Sequence, residues 1–423
     1  MRHQAKPSTV TSYAKYFIPT LYFIEGLPYT ITNVTSTVVF KSLGASNEFI
    51  GLSSILALPW MLKFLWAPLV DAIGNKKKWV TTTQFLIVGI SILLVLSVNT
   101  GVPVMAVTAT LVLLGFVSAT QDVAIDGYYL EILDTHQQAF YVGIRNTFYR
   151  LAILFGSGVL VYMAGKLVGL VGIELAWGAT FGLVAVLVCM AALFHYFVLP
   201  EDKPNTPSQI MLHPTVSLLQ VILDYLDQPR ITAILIYILT FRLGDALMLK
   251  MAQPFLLDAR SAGGLGISVE NVGLIYGTIG TTALLAGGIA ASYLIAKDGL
   301  ARWLLPFALI QNLAIPLYWY LSVTKPGLTA VAAVNFIEQA AYGLGVTAFT
   351  VFILQTVKPG HKAAHYAIAT ALMSAGMLLP SAVSGILQSR LGYSGLFLFS
   401  TFAALPGIIA IFFLPLTKKT AAA

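Results

Sequence analysis

The chain has 423 residues, 58% hydrophobic and only 10% charged, with a net charge of +7 and a mean hydropathy of +0.84. Soluble domains carry roughly 25% charged residues, so this composition excludes a water-covered globule and assigns part of the surface to lipid. The basic excess is no nucleic-acid footprint, because the lysines and arginines stand at the ends of apolar runs, where membrane topology puts them.

A membrane-crossing helix needs roughly 20 mainly apolar residues. Such runs fall near 15–40, 47–70, 79–98, 102–126, 139–166 and 172–199, then near 229–257, 268–296, 301–323, 327–355, 361–388 and 392–416. The pattern predicts an all-α membrane protein of about twelve transmembrane helices. The first 14 residues are polar and basic, and the run after them is too long for the apolar region of a signal peptide, so it is expected to stay as span 1. The single cysteine, Cys189, lies in an apolar run and reads as a small hydrophobe.

Residues 1–200 form a predicted N-terminal six-helix half, 201–228 a cytoplasmic linker, and 229–423 a C-terminal six-helix half. Within the linker, 215–226 reads either as a short amphipathic helix on the membrane face or as plain connecting chain. With both termini cytoplasmic, fourteen of the 24 lysines and arginines lie inside, against five outside (Lys41, Lys166, Arg260, Lys325 and Arg390). That bias sets the orientation. After span 2 the chain reads Asp71-Ala-Ile-Gly-Asn-Lys-Lys-Lys-Trp79, and after span 8 Lys297-Asp-Gly-Leu-Ala-Arg-Trp303. A turn with Gly, a basic residue and a Trp opening the next span recur in both halves, which favours a duplicated architecture.

Ionisable groups at membrane depth are expensive and mark functional positions. Glu25, in Phe23-Ile-Glu-Gly-Leu-Pro28 of span 1, stands where Gly26 and Pro28 weaken the helix. It is a candidate proton carrier or a partner for a cationic substrate group, and equally a buried carboxylate satisfied by nearby Thr and Asn. In span 7, Arg242 and Asp245 are three apart and can share a helix face. Asp245 there either exchanges a proton as helices move or sits in a static ion pair. Glu338 of span 10 has no cation beside it in sequence, which suits a proton carrier, and Gly343 and Gly345 after it allow another helix to approach. A second group lies toward the cytoplasmic side: Lys63 and Asp71 of span 2, Lys76 after it, Gln121, Asp122 and Asp126 of span 4, and Arg145 and Arg150 of span 5. Asp122 and Asp126 share one helix face. The group reads as a charge network that closes a cytoplasmic gate in one state and opens in the other.

The chain has no His-Glu-x-x-His helix and no Gly-rich phosphate loop followed by Lys-Ser/Thr. An enzyme is therefore not expected. No cofactor is expected either, and any pumping would draw on an ion gradient or a partner.

These residues resemble a known family. Leu58-Pro-Trp-Met-Leu-Lys-Phe-Leu-Trp-Ala-Pro-Leu-Val-Asp71 is similar to the span 2 signature of the AmpG muropeptide permease and acetyl-CoA transporter group of the major facilitator superfamily. Thr120-Gln-Asp-Val-Ala-Ile-Asp126, Tyr149-Arg-Leu151, Leu243-Gly-Asp-Ala246, Asn335-Phe-Ile-Glu338 and Ala369-Thr-Ala-Leu-Met-Ser-Ala-Gly376 resemble the same group. The resemblance implies a proton-driven importer working by alternating access between two six-helix halves. It places Asp71 and Lys76–Lys78 at the superfamily's span 2–3 gating motif, with Ala67-Pro68 in place of its usual Gly.

Two departures bear on the substrate. The chain lacks the extra spans that AmpG-type permeases often carry. In span 8 it reads Tyr276-Gly277-Thr-Ile-Gly280 where the group has Asn-Lys before Thr-x-Gly. The compact length and the opening Ile18-Pro-Thr-Leu-Tyr-Phe-Ile-Glu-Gly-Leu-Pro-Tyr29 resemble the rhizobactin and pyochelin siderophore permeases more. By that resemblance the first expectation is uptake of a ferric siderophore across the bacterial inner membrane. An anhydromuropeptide comes second, and an acyl-CoA transporter or membrane acyltransferase third. Tyr22, Phe23, Tyr29, Phe241, Tyr276, Phe336 and Tyr342 would line an aromatic path, or simply pack the bundle. Glu25, Tyr29, Arg242, Tyr276, Phe336 and Tyr342 are the candidate substrate contacts, and Asp245, Glu338 and Glu25 the candidate proton carriers. The expected partners are a small-molecule substrate and the bilayer, with no nucleic acid, and the protein is expected to be a monomer.

Overall fold

The structure, a computed structural model, describes residues 9–73, 75–201, 218–357 and 362–416. Among these residues there are helices and turns and no strand, as a bilayer demands of a chain that must satisfy its backbone groups within each segment. Ten described helices are long and apolar enough to cross a membrane. One of them, Ile368–Ile411, is long enough for two crossings and breaks at Gly392, whose φ of 68° is left-handed. With the first helix, which carries Glu25 and so dilutes its apolar run, the twelve expected spans are accounted for. The chain folds as two compact units: residues 1–44 with 56–213, and residues 45–55 with 214–423.

In the first unit, α1 (Thr9–Thr30) widens into a π turn at Ile31–Thr35 before continuing through Ser36–Ser42. The sequence suggested weakness at Gly26 and Pro28, but α1 passes both as regular helix. Gly26 instead lets α5 (Phe140–Val171) come close: a β-carbon there would meet the Tyr149 carbonyl and the Ala152 methyl, each at 3.0 Å. A second π turn, Phe155–Val159, lies within α5 and packs on the first, and Thr35 Oγ1 donates to the Gly156 carbonyl at 2.9 Å. The helix α2 (Asn47–Leu65) includes two 3₁₀ turns, Ser53–Ala57 and Lys63–Leu65. The chain changes unit at the first of these. The rest of the unit is α3 (Lys76–Ser97), α4 (Pro103–Ile132), which runs one to two turns past its expected end, and α6 (Ile173–Val198). Its core joins Phe17, Leu21, Val80, Ile125 and Tyr128.

The second unit opens with α7 (Leu218–Leu226), the amphipathic alternative for part of the linker; residues 202–217 lie outside those described. It continues with α8 (Ile231–Leu257), α9 (Val269–Asp298), α10 (Leu300–Thr324), α11 (Leu328–Gln355), α12 (Lys362–Ala403) and α13 (Leu405–Ile411). Lipid gives helices little hydrophobic reason to associate, so small residues at the contact do that work. Gly343 of α11 lies on the Leu284 backbone of α9 with no room for a β-carbon. Residues 45–55 belong to this unit, and Asn47 Nδ2 donates to Gln388 and Tyr393 at 2.9 Å and to Asp258 at 3.2 Å.

Candidate functional site

Each unit carries its own polar cluster. In the second unit α8 breaks at Phe241–Arg242 and restarts at Leu243, so Asp245 stands in the first turn of the new segment. Its carboxylate accepts from the Gln311 carboxamide of α10 and lies within Coulombic reach of Arg242. Arg242 reaches the Tyr342 hydroxyl of α11 and sits 5.3 Å from that ring's centre. Glu338, also on α11, accepts from Gln339 Nε2 at 2.8 Å and is within electrostatic reach of Asp245. Tyr276 stands on the π turn Gly273–Gly280 of α9, within electrostatic reach of Glu338. Asn335 donates to the Tyr318 hydroxyl at 3.1 Å. Asp245 and Glu338 are 1% and 2% exposed, and Asp245 Oδ1, Gln311 Oε1 and Asn335 Oδ1 have no hydrogen-bond partner among the described residues. Two carboxyl groups, three carboxamides, three phenols and a guanidinium thus converge from four helices. Such a set can hold a proton and offer donors and acceptors to a polar solute.

In the first unit Lys63 is paired with Asp122. Arg145 bonds Asp126 at 3.1 Å and lies over the rings of Tyr22 and Tyr129, at 4.5 and 5.1 Å from their centres. Tyr22 donates to the same Asp126 oxygen at 3.1 Å. Gln121 donates to the Ile24 carbonyl at 3.3 Å. Glu25 is 5% exposed, within electrostatic reach of Asp126, Arg145 and Lys63, and its Oε2 has no hydrogen-bond partner among the described residues. The structure therefore groups Glu25 with the residues expected to gate. Arg150 is exposed and no described contact ties it to this cluster. The Asp71 side chain lies outside those described.

Of the aromatic path, Tyr22, Phe23 and Tyr29 lie in the first unit. Phe23 packs on Phe155, and Tyr29 stands edge-on to Trp60 at 5.1 Å. Phe241 is 1% exposed between Tyr237 and Phe349 in the core of the second unit, which makes it a packing residue. Phe336 is 49% exposed, two residues from Glu338 and so on the opposite face of α11, and it is not brought into the cluster. Tyr276 and Tyr342 are. Sequence reasoning missed Gln311 and Gln339 as members; a carboxamide within an apolar span was the available signal.

A sequence model of the Major Facilitator Superfamily matches residues 20–256, more than half of the chain. The chain belongs to the major facilitator superfamily. It is a multi-pass membrane transporter, and the relatives below are transporters too. It is 27% identical over 396 residues to the anhydromuropeptide permease of Escherichia coli strain K12, an alignment covering 92% of this chain and 77% of that one. Two solved structures share its fold: the nucleoside transporter NupG, with a TM-score of 0.69 at 15% identity over 94% of this chain and 98% of that one, and a D-xylose-proton symporter, with 0.70 at 13% over 95% and 97%.

The superfamily's span 2–3 segment is well tied down in this chain. Lys76 is 2% exposed and donates to the Val70 carbonyl at 3.0 Å, a cation placed on a helix C-terminus. Lys77 pairs with Glu201 at 2.9 Å, and the Trp79 indole donates to the Ile73 carbonyl at 2.7 Å. The second unit repeats the device, with the Trp303 indole donating to Asp298 at 3.0 Å and Arg302 3.5 Å from the same carboxylate.

Proposed function

We propose that this transporter is a proton-coupled importer of the bacterial inner membrane whose cargo is an anhydromuropeptide. The observation that carries the reading is the Asp245–Glu338 pair. Two buried carboxyl groups lie within electrostatic reach of each other, and each is held by a carboxamide. Two such groups in a low-dielectric interior resist being charged together, so gaining or losing one proton is coupled to the helices that carry them. The 27% identity over 92% of this chain to an anhydromuropeptide permease supports that cargo. The surrounding carboxamides and phenols suit a solute rich in hydroxyl and amide groups. A ferric siderophore, the first expectation from sequence, gains no support from the relatives described above and becomes the alternative. Both termini are assigned to the cytoplasm by the distribution of basic residues.

In the cycle we infer, Glu338 or Asp245 takes a proton from outside while substrate binds near Arg242, Tyr276 and Tyr342. Neutralising buried charge frees the units to rearrange, and the Lys63–Asp122 and Arg145–Asp126 pairs part as the inward path opens. The test is uptake of labelled anhydromuropeptide and of labelled ferric siderophore into cells, each with and without a protonophore. Protonophore-sensitive uptake of the muropeptide alone is expected. Asp245→Asn and Glu338→Gln should abolish gradient-driven uptake and leave counterflow exchange. Loss of both activities, or of neither, would defeat the proton-carrier role.

A further inference from the structure

The second unit has a groove of about 800 Å³ that the transport cycle does not use. It runs between α8 and α13, which pack on each other, and its walls are Ile236, Pro406, Ile409, Phe412 and Phe413. Ile236, Ile409, Phe412 and Phe413 are 45%, 55%, 68% and 60% exposed. At one end stands Arg230, just before the first residue of α8. The other wall ends at the same level: Arg230 Nη1 lies 3.4 and 3.5 Å from the carbonyls of Phe413 and Leu414. The groove is therefore an apolar slot with an exposed cation beside the ends of the two helices that wall it.

Arg230 has a φ of 59°, a left-handed conformation that glycine would adopt at less cost. Its bonds to the last carbonyls of the facing helix end use Nη1, and among the described residues Nε and Nη2 have no described hydrogen bond. Apolar walls ask for an acyl chain, and a guanidinium beside the helix ends asks for a phosphate, which it can bind with paired N–H donors. We propose that this groove is a binding site for one anionic phospholipid of the surrounding bilayer, with its phosphate on Arg230 and an acyl chain along Ile236 and Pro406.

The full-length protein, reconstituted in equal phosphatidylglycerol and phosphatidylethanolamine and extracted in mild detergent, is examined by native mass spectrometry for the lipid it keeps. The wild type should retain phosphatidylglycerol in preference. Arg230→Gln should reduce that preference by about fivefold, the effect of one basic residue facing an anionic headgroup. Ile236→Trp fills the slot from a half-exposed position and leaves Arg230 in place, and it should release the lipid while the melting temperature holds. Equal retention of the two lipids by the wild type, an unchanged preference in Arg230→Gln, or retention surviving Ile236→Trp would each overturn the proposal. So would displacement of the lipid by inorganic phosphate alone, because that would reduce the site to a bare anion contact.

Discussion

Gln311 of α10 donates to the carboxylate of Asp245 on α8, and the space its carboxamide occupies is the side chain that Gly345 of α11 lacks. Three helices thus meet through one hydrogen bond and one missing β-carbon. Gln311→Leu leaves a buried carboxylate without its donor, which costs about 1–3 kcal/mol. Gly345→Ala places a methyl where the carboxamide lies and should break the same bond from the other side. Each variant is expected to melt several degrees below wild type and to lose most uptake. The double variant should be little worse than either alone, because both remove one interaction. Additive losses in a thermal melt of the purified protein would show that Gly345 serves another contact.

His195 of α6 is fully buried and bridges three helices of the first unit, with Nε2 2.8 Å from Thr20 Oγ1 and Nδ1 2.9 Å from Gln84 Oε1. His195→Leu strands the Gln84 carboxamide oxygen in an apolar interior, at a cost of about 1–3 kcal/mol, while the Thr20 hydroxyl keeps its bonds to the Tyr16 and Phe17 carbonyls. This variant should be the less stable of two, because His195→Asn keeps a donor and an acceptor and should recover part of the loss. A melting series of both against wild type decides it; equal losses would mean that ring volume, not hydrogen bonding, is what α6 needs.

What could be read from the sequence divides along physical lines. The spans were legible because twenty apolar residues in a row have few fates in a lipid-rich composition, and Glu25, Asp245 and Glu338 stood out because charge is rare there. Their partners did not stand out. Gln311 is 66 residues from Asp245, and His195 is 175 from Thr20 and 111 from Gln84. Helical periodicity fixes a residue's face but not which helix that face meets. The same gap explains Phe241 and Phe336: both are aromatic and near charged groups in sequence, yet one is core and the other stands on the far side of α11. Gly26 shows the reverse error, since what reads as a weak point in one helix is a point of close approach by another.

Glu201 lies just past the end of α6, outside the membrane spans, and accepts from Lys77 at 2.9 Å and Asn75 at 3.2 Å. The Lys77 ammonium holds its carboxyl below the usual carboxylate range. A lowered value means that the stabilisation is fully present above the ordinary carboxylate pKa of 4.5 and is lost as pH falls through the folded value. Because the side chain is 70% exposed, solvent screening keeps the contribution to at most about 1 kcal/mol. Glu201→Gln should therefore melt slightly below wild type at pH 7 and with it at pH 3, and added salt should close the gap at pH 7. A difference that persists at pH 3 would place the role of Glu201 in packing.

Arg145 offers the sharpest distinction between charge and shape. Its guanidinium meets Asp126 and lies over both Tyr22 and Tyr129, while Tyr22 closes the ring by donating to Asp126. A planar cation fits between two aromatic faces and a carboxylate, and an ammonium does not fill that geometry. Arg145→Lys keeps the charge and should still lose most transport, while expression and folding stay near wild type because Arg145 and Asp126 are only partly buried. Tyr129→Phe keeps a ring under Arg145 and should be mild, whereas Tyr129→Leu should approach Arg145→Lys. Asp126→Asn combined with Arg145→Gln removes both charges and leaves a neutral pair. If the pair acts as a gate that must hold and then release, this double variant should bind substrate in equilibrium assays yet leak or stall in uptake. Uptake at wild-type rates in Arg145→Lys would mean that charge alone suffices and that the aromatic stack is incidental.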